Sequence, residues 1–507
     1  MSSAEVEGLI RFSLDDLSLF SEASQDRNPL HLSGDYARKT PYGEPVVFGV
    51  LGGIACLGRL IDRPGLTLSN AVLEFPSPMF VGIDYRIETT DLSPEQASAR
   101  IYDGDRVLLK ASFRFTKGSA APAERTAAKA PVRLDPSETV EEELVEGFTV
   151  SKSYWPAWGR LGALYERFGL MRKGVEDIHL AALMWCSYLV GMELPGRRAL
   201  FSRLAIDFQE PSRAWGSHPA WEARVVSFDK RFDLVRIEAR LSSGESLLAR
   251  AELRSFVRRD LPPLSIEAVE SLVPRSDALK GKVGLVIGAS RGLGAAIASG
   301  LALGGCTVFA NFLKSEPEAR RLKNELTSAT GEIILLQGDG SELRWCEEAK
   351  RSILRDYKRL DFLVCSACPA LLPLWLDSTA VTRINEYVTH SLALASVPMS
   401  VFLGALAENC GCCVIISSAA VNDPPAEWPH YVSAKQAVEG LAKVAAVEHN
   451  TVNFLIARPP RLVTDLTNTP LGRQGAIRPE RVAAKIVKHM AGRSTDRQVE
   501  TLDSADW

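Results

Sequence analysis

Hydrophobic and polar positions along this chain fall into two regimes. In the first half, apolar and polar residues alternate along Leu68–Phe75, Asp84–Leu92, Ala97–Tyr102 and Val107–Phe115. A period of two predicts strands with one buried face. Before them lie an amphipathic stretch, Leu14–Ala23, and a continuously apolar stretch rich in small residues, Val46–Leu60, which predict helices. The same order then repeats. An apolar helix over Leu180–Val190 precedes strand-like runs at Leu200–Phe208, Trp221–Phe228, Asp233–Leu241 and Leu247–Phe256. Residue identity between the two copies is weak, so the duplication is one of pattern. The last part of the chain has short apolar runs instead, at Val283–Gly288, Thr307–Phe312, Ile333–Gln337, Phe362–Cys365, Cys413–Ser417 and Asn453–Ala457, with helical stretches between them.

One buried helix followed by an antiparallel sheet is the order of a hot-dog fold. Strands alternating with helices predict a parallel sheet. The expected fold is therefore an α+β double hot-dog followed by an α/β Rossmann-type, doubly wound parallel sheet. At 507 residues the chain has room for about three domains. Two stretches predict linkers: Lys117–Pro131, without apolar periodicity, and Arg258–Leu279, with Leu261-Pro262-Pro263-Leu264 and Val273-Pro274-Arg275. The expected division is 1–117, linker 118–131, 132–257, linker 258–279, and 280–507.

Bulk properties narrow the partners. A net charge of −3 gives no reason to expect nucleic acid or an anionic membrane. Nine cysteines, several in apolar runs (Cys186, Cys365, Cys413), suit a reducing cytosol and a cytoplasmic location. Met1–Gly8 is acidic and polar, unlike a signal peptide. No uncharged apolar run of about 18 residues suggests a membrane span. Cys365/Cys368 and Cys410/Cys412/Cys413 crowd together, but no second ligand pair has zinc spacing, so no metal is expected.

Two clusters carry chemistry. In the last part, Gly288, Gly292 and Gly294 follow a strand and open a helix, the setting in which backbone N–H groups approach a pyrophosphate. Tyr431 and Lys435 are one helical turn apart, and Ser418 ends the preceding strand. A phenol with its ordinary pKa of about 10 is a poor proton donor at neutral pH, and a neighbouring ammonium favours its phenolate. Such a tyrosine can pass a proton to an alkoxide forming as a nicotinamide delivers hydride. The second strand ends Asn311-Phe312-Leu313-Lys314 with no carboxylate to grip a ribose 2′-hydroxyl. Asn311 and Lys314 are therefore read as lining the cofactor, with Arg291 and Lys314 as cations for a 2′-phosphate. This favours NADP(H) and the reductive direction.

In the first part, Asp26 and His31 flank Asn28-Pro29, which breaks any helix between them. A carboxylate and an imidazole aimed at one point can add or expel a water across a C=C bond conjugated to a thioester. Gly49, at the start of the buried helix, would offer its N–H to the enolate oxygen.

These residues resemble two known families. Phe20–His31, Tyr36-Ala37, Pro45–Leu51 and Phe75–Ile83 resemble the MaoC-like, (R)-specific enoyl thioester hydratases/dehydratases over most of 10–117. The resemblance implies Asp26 and His31 as catalytic, Asn28 as orienting and Gly49 as oxyanion donor. Phe48 stands where a His often precedes this Gly. The middle segment lacks the motif. Its Asp177 and His179 start a helix, and its expected role is to complete the sheet and wall an acyl tunnel, with Trp155, Trp158, Trp185 and Tyr188 in the core or along that tunnel.

Residues 280–494 resemble the short-chain dehydrogenases/reductases, specifically ketoacyl thioester reductases. That implies Ser418, Tyr431 and Lys435 as catalytic, with Gly288, Ser290, Arg291, Gly292, Leu293, Gly294, Tyr431 and Lys435 around the cofactor and Asp339 near its adenine. Three positions depart from the family pattern. Cys365-Ser366-Ala367-Cys368 replaces Asn-Asn-Ala-Gly, Pro459-Pro460 replaces Pro-Gly, and the assisting asparagine has only Asn385, or by register Thr389 or a neighbour. Together the resemblances imply a bifunctional enzyme that reduces a 3-ketoacyl thioester and dehydrates the product. The substrate would ride on coenzyme A or an acyl carrier protein, and the enzyme would be a homo-oligomer. Hydration followed by NAD-linked oxidation would use the same residues in reverse. A non-catalytic acyl-binding scaffold would need none of the acid–base groups.

Overall fold

The computed structural model describes residues 4–118, 135–138, 141–209, 219–469, 472–492 and 498–507. Apart from Gly118, the expected linker 118–131 lies outside them. The chain folds as two units, Met1–Arg259 and Asp260–Trp507. The two segments expected as separate hot-dog domains thus form one unit.

The first unit runs β1 (Ala4–Arg11), α1 (Leu14–Ser24), α2 (Pro29–Leu32), α3 (Gly34–Ala37), α4 (Gly49–Arg59), β2 (Leu66–Glu74), β3 (Asp84–Ser93), β4 (Gln96–Asp103) and β5 (Arg106–Lys117). It continues with β6 (Thr149–Ser153), α5 (Leu161–Phe168), α6 (Asp177–Tyr188), β7 (Ala199–Phe208), β8 (Ala220–Asp229), β9 (Leu234–Ser243) and β10 (Ser246–Val257). The strands form one antiparallel ten-stranded sheet in the order β1-β3-β4-β5-β2-β7-β10-β9-β8-β6. Outward from its centre, β2-β5-β4-β3-β1 on one side matches β7-β10-β9-β8-β6 on the other. The repeat in the hydrophobic pattern is thus a repeat in topology. Sequence reasoning missed β1 and β6, the two edge strands.

At the centre β2 pairs with β7, from Asn70 opposite Asp207 to Glu74 opposite Arg203. Asn70 donates to Asp207 at 2.8 Å across this seam, and Leu73 and Leu204 face each other fully buried. One continuous core fills the unit, with α4 and α6 deep inside it. Their continuous apolar runs follow from that position, since a helix enclosed on all sides has no face to leave polar.

The second unit runs α7 (Ile266–Leu272), β11 (Val283–Ile287), α8 (Gly292–Leu303), β12 (Thr307–Phe312), α9 (Glu316–Glu325), β13 (Glu332–Gln337), α10 (Leu343–Tyr357), β14 (Phe362–Cys365) and α11 (Val381–Ala407). Then come β15 (Cys412–Ile416), α12 (Pro429–Glu448), β16 (Asn453–Ala457), α13 (Pro479–Gly492) and β17 (Val499–Leu502). Its seven strands are all parallel, in the order β13-β12-β11-β14-β15-β16-β17. Apolar clusters cover both faces, as a parallel sheet requires. The order reverses between β11 and β14, and the strand ends there open the crevice where this architecture binds ligands.

Two expectations need correction. The stretch 258–279 is not a free linker: it holds α7, whose Val269 is buried in the second unit's core. By length and composition, α11 is apolar enough to cross a membrane. Its Ala395, Met399, Phe402 and Leu406 pack instead into the core on one face of the parallel sheet.

The central seam yields a test. Leu204→Ala should destabilise the first unit by about 2–5 kcal/mol, the cost of a cavity at a fully buried leucine. Denaturant unfolding should show that unit's transition moving while the second unit's transition stays in place.

Candidate active sites

In the first unit the motif is built as a double cap. Asn28 sits at the N-terminus of α2, its Oδ1 accepting from Leu30 N at 3.0 Å, and Pro29 takes the first helical position. The Asn28 amide points the other way, donating to Gly191 O at 2.9 Å and Gly196 O at 3.3 Å in the second half. Asn28 therefore pins the loop to the covering half.

Asp26 is 1% exposed. Its Oδ2 accepts from Ser187 Oγ at 2.7 Å and its Oδ1 from Asn28 N at 3.1 Å. Gly191 lies so close that a Cβ there would stand 2.6 Å from Asp26 Oδ1. Only a glycine leaves room for the carboxyl. Gly191 lies within Leu189–Glu193, a stretch of π-helix that continues α6. Burial pushes the Asp26 carboxyl up to about 7, against the opposing pull of the Ser187 and Asn28 donors.

His31 lies on α2, half-buried and stacked on Phe48 with ring centroids 3.8 Å apart. Its Nδ1 meets Val46 O at 2.7 Å. A carbonyl can only accept, so Nδ1 carries the proton and Nε2 keeps a lone pair. Burial pushes the imidazole down to about 4, against the pull of that carbonyl. Gly49 is the first residue of α4, where backbone N–H groups have no partner within the helix.

Among the described residues the second half carries no such pair. His179 Nδ1 accepts from Glu176 N at 2.9 Å, a helix cap, and Trp185 is fully buried in the core. Ser187 and Gly191 escaped sequence reasoning because a serine and a glycine on an apolar helix carry no motif.

In the second unit, Gly288 follows β11 with φ +81°, and α8 starts at Gly292. A Cβ on Gly294 would lie 2.1 Å from Gly288 O. The turn is closed so tightly that only bare backbone fits, which leaves N–H groups to face a pyrophosphate. The residues present fit a dinucleotide. Asn311, expected to line the cofactor, does not. It is 3% exposed and spends its amide inside the sheet, accepting from Gly288 N at 3.2 Å and donating to Gly338 O at 2.9 Å. It ties the glycine turn to the ends of β12 and β13. Leu293 is likewise turned into the core, so only its backbone can serve. Ser290 is half-buried, Lys314 is exposed, and Asp339 accepts from Ser341 N and Oγ at 2.9 and 2.7 Å.

Ser418 follows β15, and Tyr431 and Lys435 stand in the first turns of α12. Lys435 Nζ donates to Ile416 O at 2.8 Å and lies 5.6 Å from the Tyr431 ring centroid. Strand and helix are locked by a network absent from sequence reasoning. Ser417 Oγ donates to Glu439 at 2.6 Å, and Arg458 grips Glu439 with two bonds of 2.8 and 2.6 Å. Burial works to raise Glu439, but Arg458 and Ser417 hold it below its ordinary range. Asn385 and Thr389 are both exposed on α11. Cys365, Cys412 and Cys413 are buried outside any disulfide, and among the described residues no cluster suits a metal ion.

A raised carboxyl pKa makes a signed prediction. Asp26 favours folding while protonated, and that contribution is lost as pH climbs from about 4 through about 7. Relative to wild type, Asp26→Asn should therefore gain stability between pH 4 and pH 8, on the order of 3–4 kcal/mol at most. Denaturation curves of both proteins at the two pH values measure it.

The profile of the family described as short chain dehydrogenase matches residues 282–471. A 3-oxoacyl-[acyl-carrier-protein] reductase of Synechocystis is 30% identical over 226 residues, covering 41% of this chain and 89% of that protein. The N-terminal region matches a 3-hydroxybutyryl-CoA dehydratase of Methylorubrum extorquens, 34% identical over 103 residues, 18% of this chain and 66% of that protein. An uncharacterized oxidoreductase of the same organism is 38% identical over 86 residues, 17% of this chain. The chain spans slightly under two thirds of that dehydratase and 35% of that oxidoreductase. The chain belongs, through its C-terminal unit, to the short-chain dehydrogenase/reductase family, and its N-terminal region is similar to a 3-hydroxybutyryl-CoA dehydratase.

Proposed function

We propose that this protein reduces a 3-ketoacyl thioester to the (R)-3-hydroxyacyl thioester with NADPH and dehydrates it to the trans-2-enoyl thioester. The setting is fatty-acid or polyketide-type chain processing in the cytoplasm, by a homo-oligomer, on coenzyme A or an acyl carrier protein. The observation that carries this reading is the coexistence in one chain of the Asp26–His31 pair and the Ser418–Tyr431–Lys435 set. Their reactions are consecutive on the β-carbon of one substrate class.

In the reductase site, a bound nicotinamide cofactor supplies hydride to the 3-keto carbon. The Tyr431 hydroxyl gives a proton to the oxygen as it gains charge. Ser418 Oγ donates a hydrogen bond to that same oxygen, and Lys435 sets the electrostatics around the phenol. The glycine turn and the start of α8 would hold the pyrophosphate, and Arg291 and Lys314 would meet the 2′-phosphate.

In the first unit, read as a double hot-dog with one working half, the order of the two pKa values matters. Between about pH 4 and pH 7, Asp26 is a neutral acid and His31 a neutral base. His31 Nε2 takes the C2 proton, Asp26 delivers a proton to the departing C3 hydroxyl, and water leaves. The Gly49 N–H steadies the enolate oxygen, and Ser187 keeps the acid aimed.

Incubating the protein with a 3-ketoacyl thioester and NADPH, with products identified by mass, tests the whole sequence. An enoyl product is expected, a 3-hydroxy product alone contradicts the dehydratase assignment, and a strong NAD⁺ preference overturns the direction. Tyr431→Phe should lower reduction by about 10²–10⁴-fold while leaving dehydration of the hydroxyacyl thioester intact. The dehydration rate should form a plateau bounded by apparent pKa values of about 4 and about 7, falling above it as Asp26 ionises.

A further inference from the structure

Arg291, in the glycine turn, reaches across to the loop that follows β16. Its Nη1 donates to Asp465 Oδ2 at 2.9 Å, with the two side chains 40% and 28% exposed. The neighbouring Thr464 lies over the same turn, its Cγ2 3.7 Å from where a Cβ on Gly292 would stand. Asp465 is not on a loose tip. Val463 N donates to Ile477 O and Ile477 N to Arg461 O, both at 2.9 Å, and Leu462 and Ile477 pack on the core. Thr464 and Thr467 cap each other around Asp465.

Asn311 is consumed inside the sheet, which leaves Arg291 and exposed Lys314 to meet a 2′-phosphate. Arg291 is thus wanted by two anions. A phosphate carries more charge than a carboxylate and takes a guanidinium by two parallel bonds, so it can displace Asp465, but only by spending the ion pair.

We propose that Asp465 is a selectivity-determining residue: it competes with the cofactor's 2′-phosphate for Arg291 and so weakens binding of the phosphorylated dinucleotide alone. This rests on the reading of Arg291 as a phosphate partner. It also links the cofactor's charge to the loop after β16, because the phosphate that takes Arg291 releases that loop from the glycine turn.

The test is a double-mutant cycle on the full-length protein, with Kd for NADPH and for NADH measured by quenching of protein fluorescence. Asp465→Asn should tighten NADPH by about two- to fivefold, the scale of a part-exposed ion pair, with NADH unchanged. Asp465→Glu, which keeps the charge, should retain wild-type values. In an Arg291→Gln background the Asp465→Asn gain should vanish. Equal tightening of both cofactors, or a gain that survives Arg291→Gln, overturns the proposal. If Arg291→Gln leaves the NADPH-to-NADH ratio of Kd untouched, the assignment of Arg291 to the phosphate fails, and the competition falls with it.

Discussion

The short antiparallel pairing of β2 with β7 is the constraint on which the first unit depends. It makes two similar sheets into one, and it sets α6 of the second half against the Asp26 loop of the first. Without that seam Asp26 would have neither its Ser187 partner nor the closely packed Gly191. A solvated carboxylate ionises near pH 4 and cannot serve as an acid at neutral pH. The covering half strips its water while supplying one hydroxyl to hold it in place. Much of the acid–base character of the site is thus a consequence of how the halves join.

The second unit solves a comparable problem with polar groups. Three strand ends must be held level so that a glycine turn, a serine and a tyrosine–lysine helix face one crevice. Asn311 levels β11, β12 and β13 from within the sheet. On the other side, Glu439 is shared between Ser417 and Arg458, and Arg458 also binds Asp503, beyond β17. These bonds carry no chemistry, yet the reacting groups take their positions from them.

The parts of the fold legible in the sequence are those that bury most. The eight inner strands of the first sheet announce themselves by period, and both deep helices and six of the seven parallel strands by continuous apolar runs. The edge strands β1 and β6 do not, because an edge pairs on one side only and tolerates charge, as in Thr149–Ser153 with its Lys152. The short β17 closes the edge of the parallel sheet and was missed for the same reason. Asn28-Pro29 reads in the sequence as breaking any helix, whereas in the structure the pair starts α2 and places His31 on it. Asn311 was misread because a polar residue at a strand end looks the same in sequence whether it faces a groove or a neighbouring strand. Ser187 was invisible because its partner lies 161 residues away.

The covering of Asp26 by Ser187 and Gly191 also has a consequence for how such a chain can change over time. In a pair of identical copies, every substitution in the covering helix falls on both sites at once, and so does every substitution in the catalytic loop. Here the two jobs sit on different stretches of one chain. The stretch around Asn28 carries the Asp26 carboxyl, and the end of α6 with the turn after it carries the fit around that carboxyl. The second half can then vary around that carboxyl one residue at a time without touching the loop that carries it.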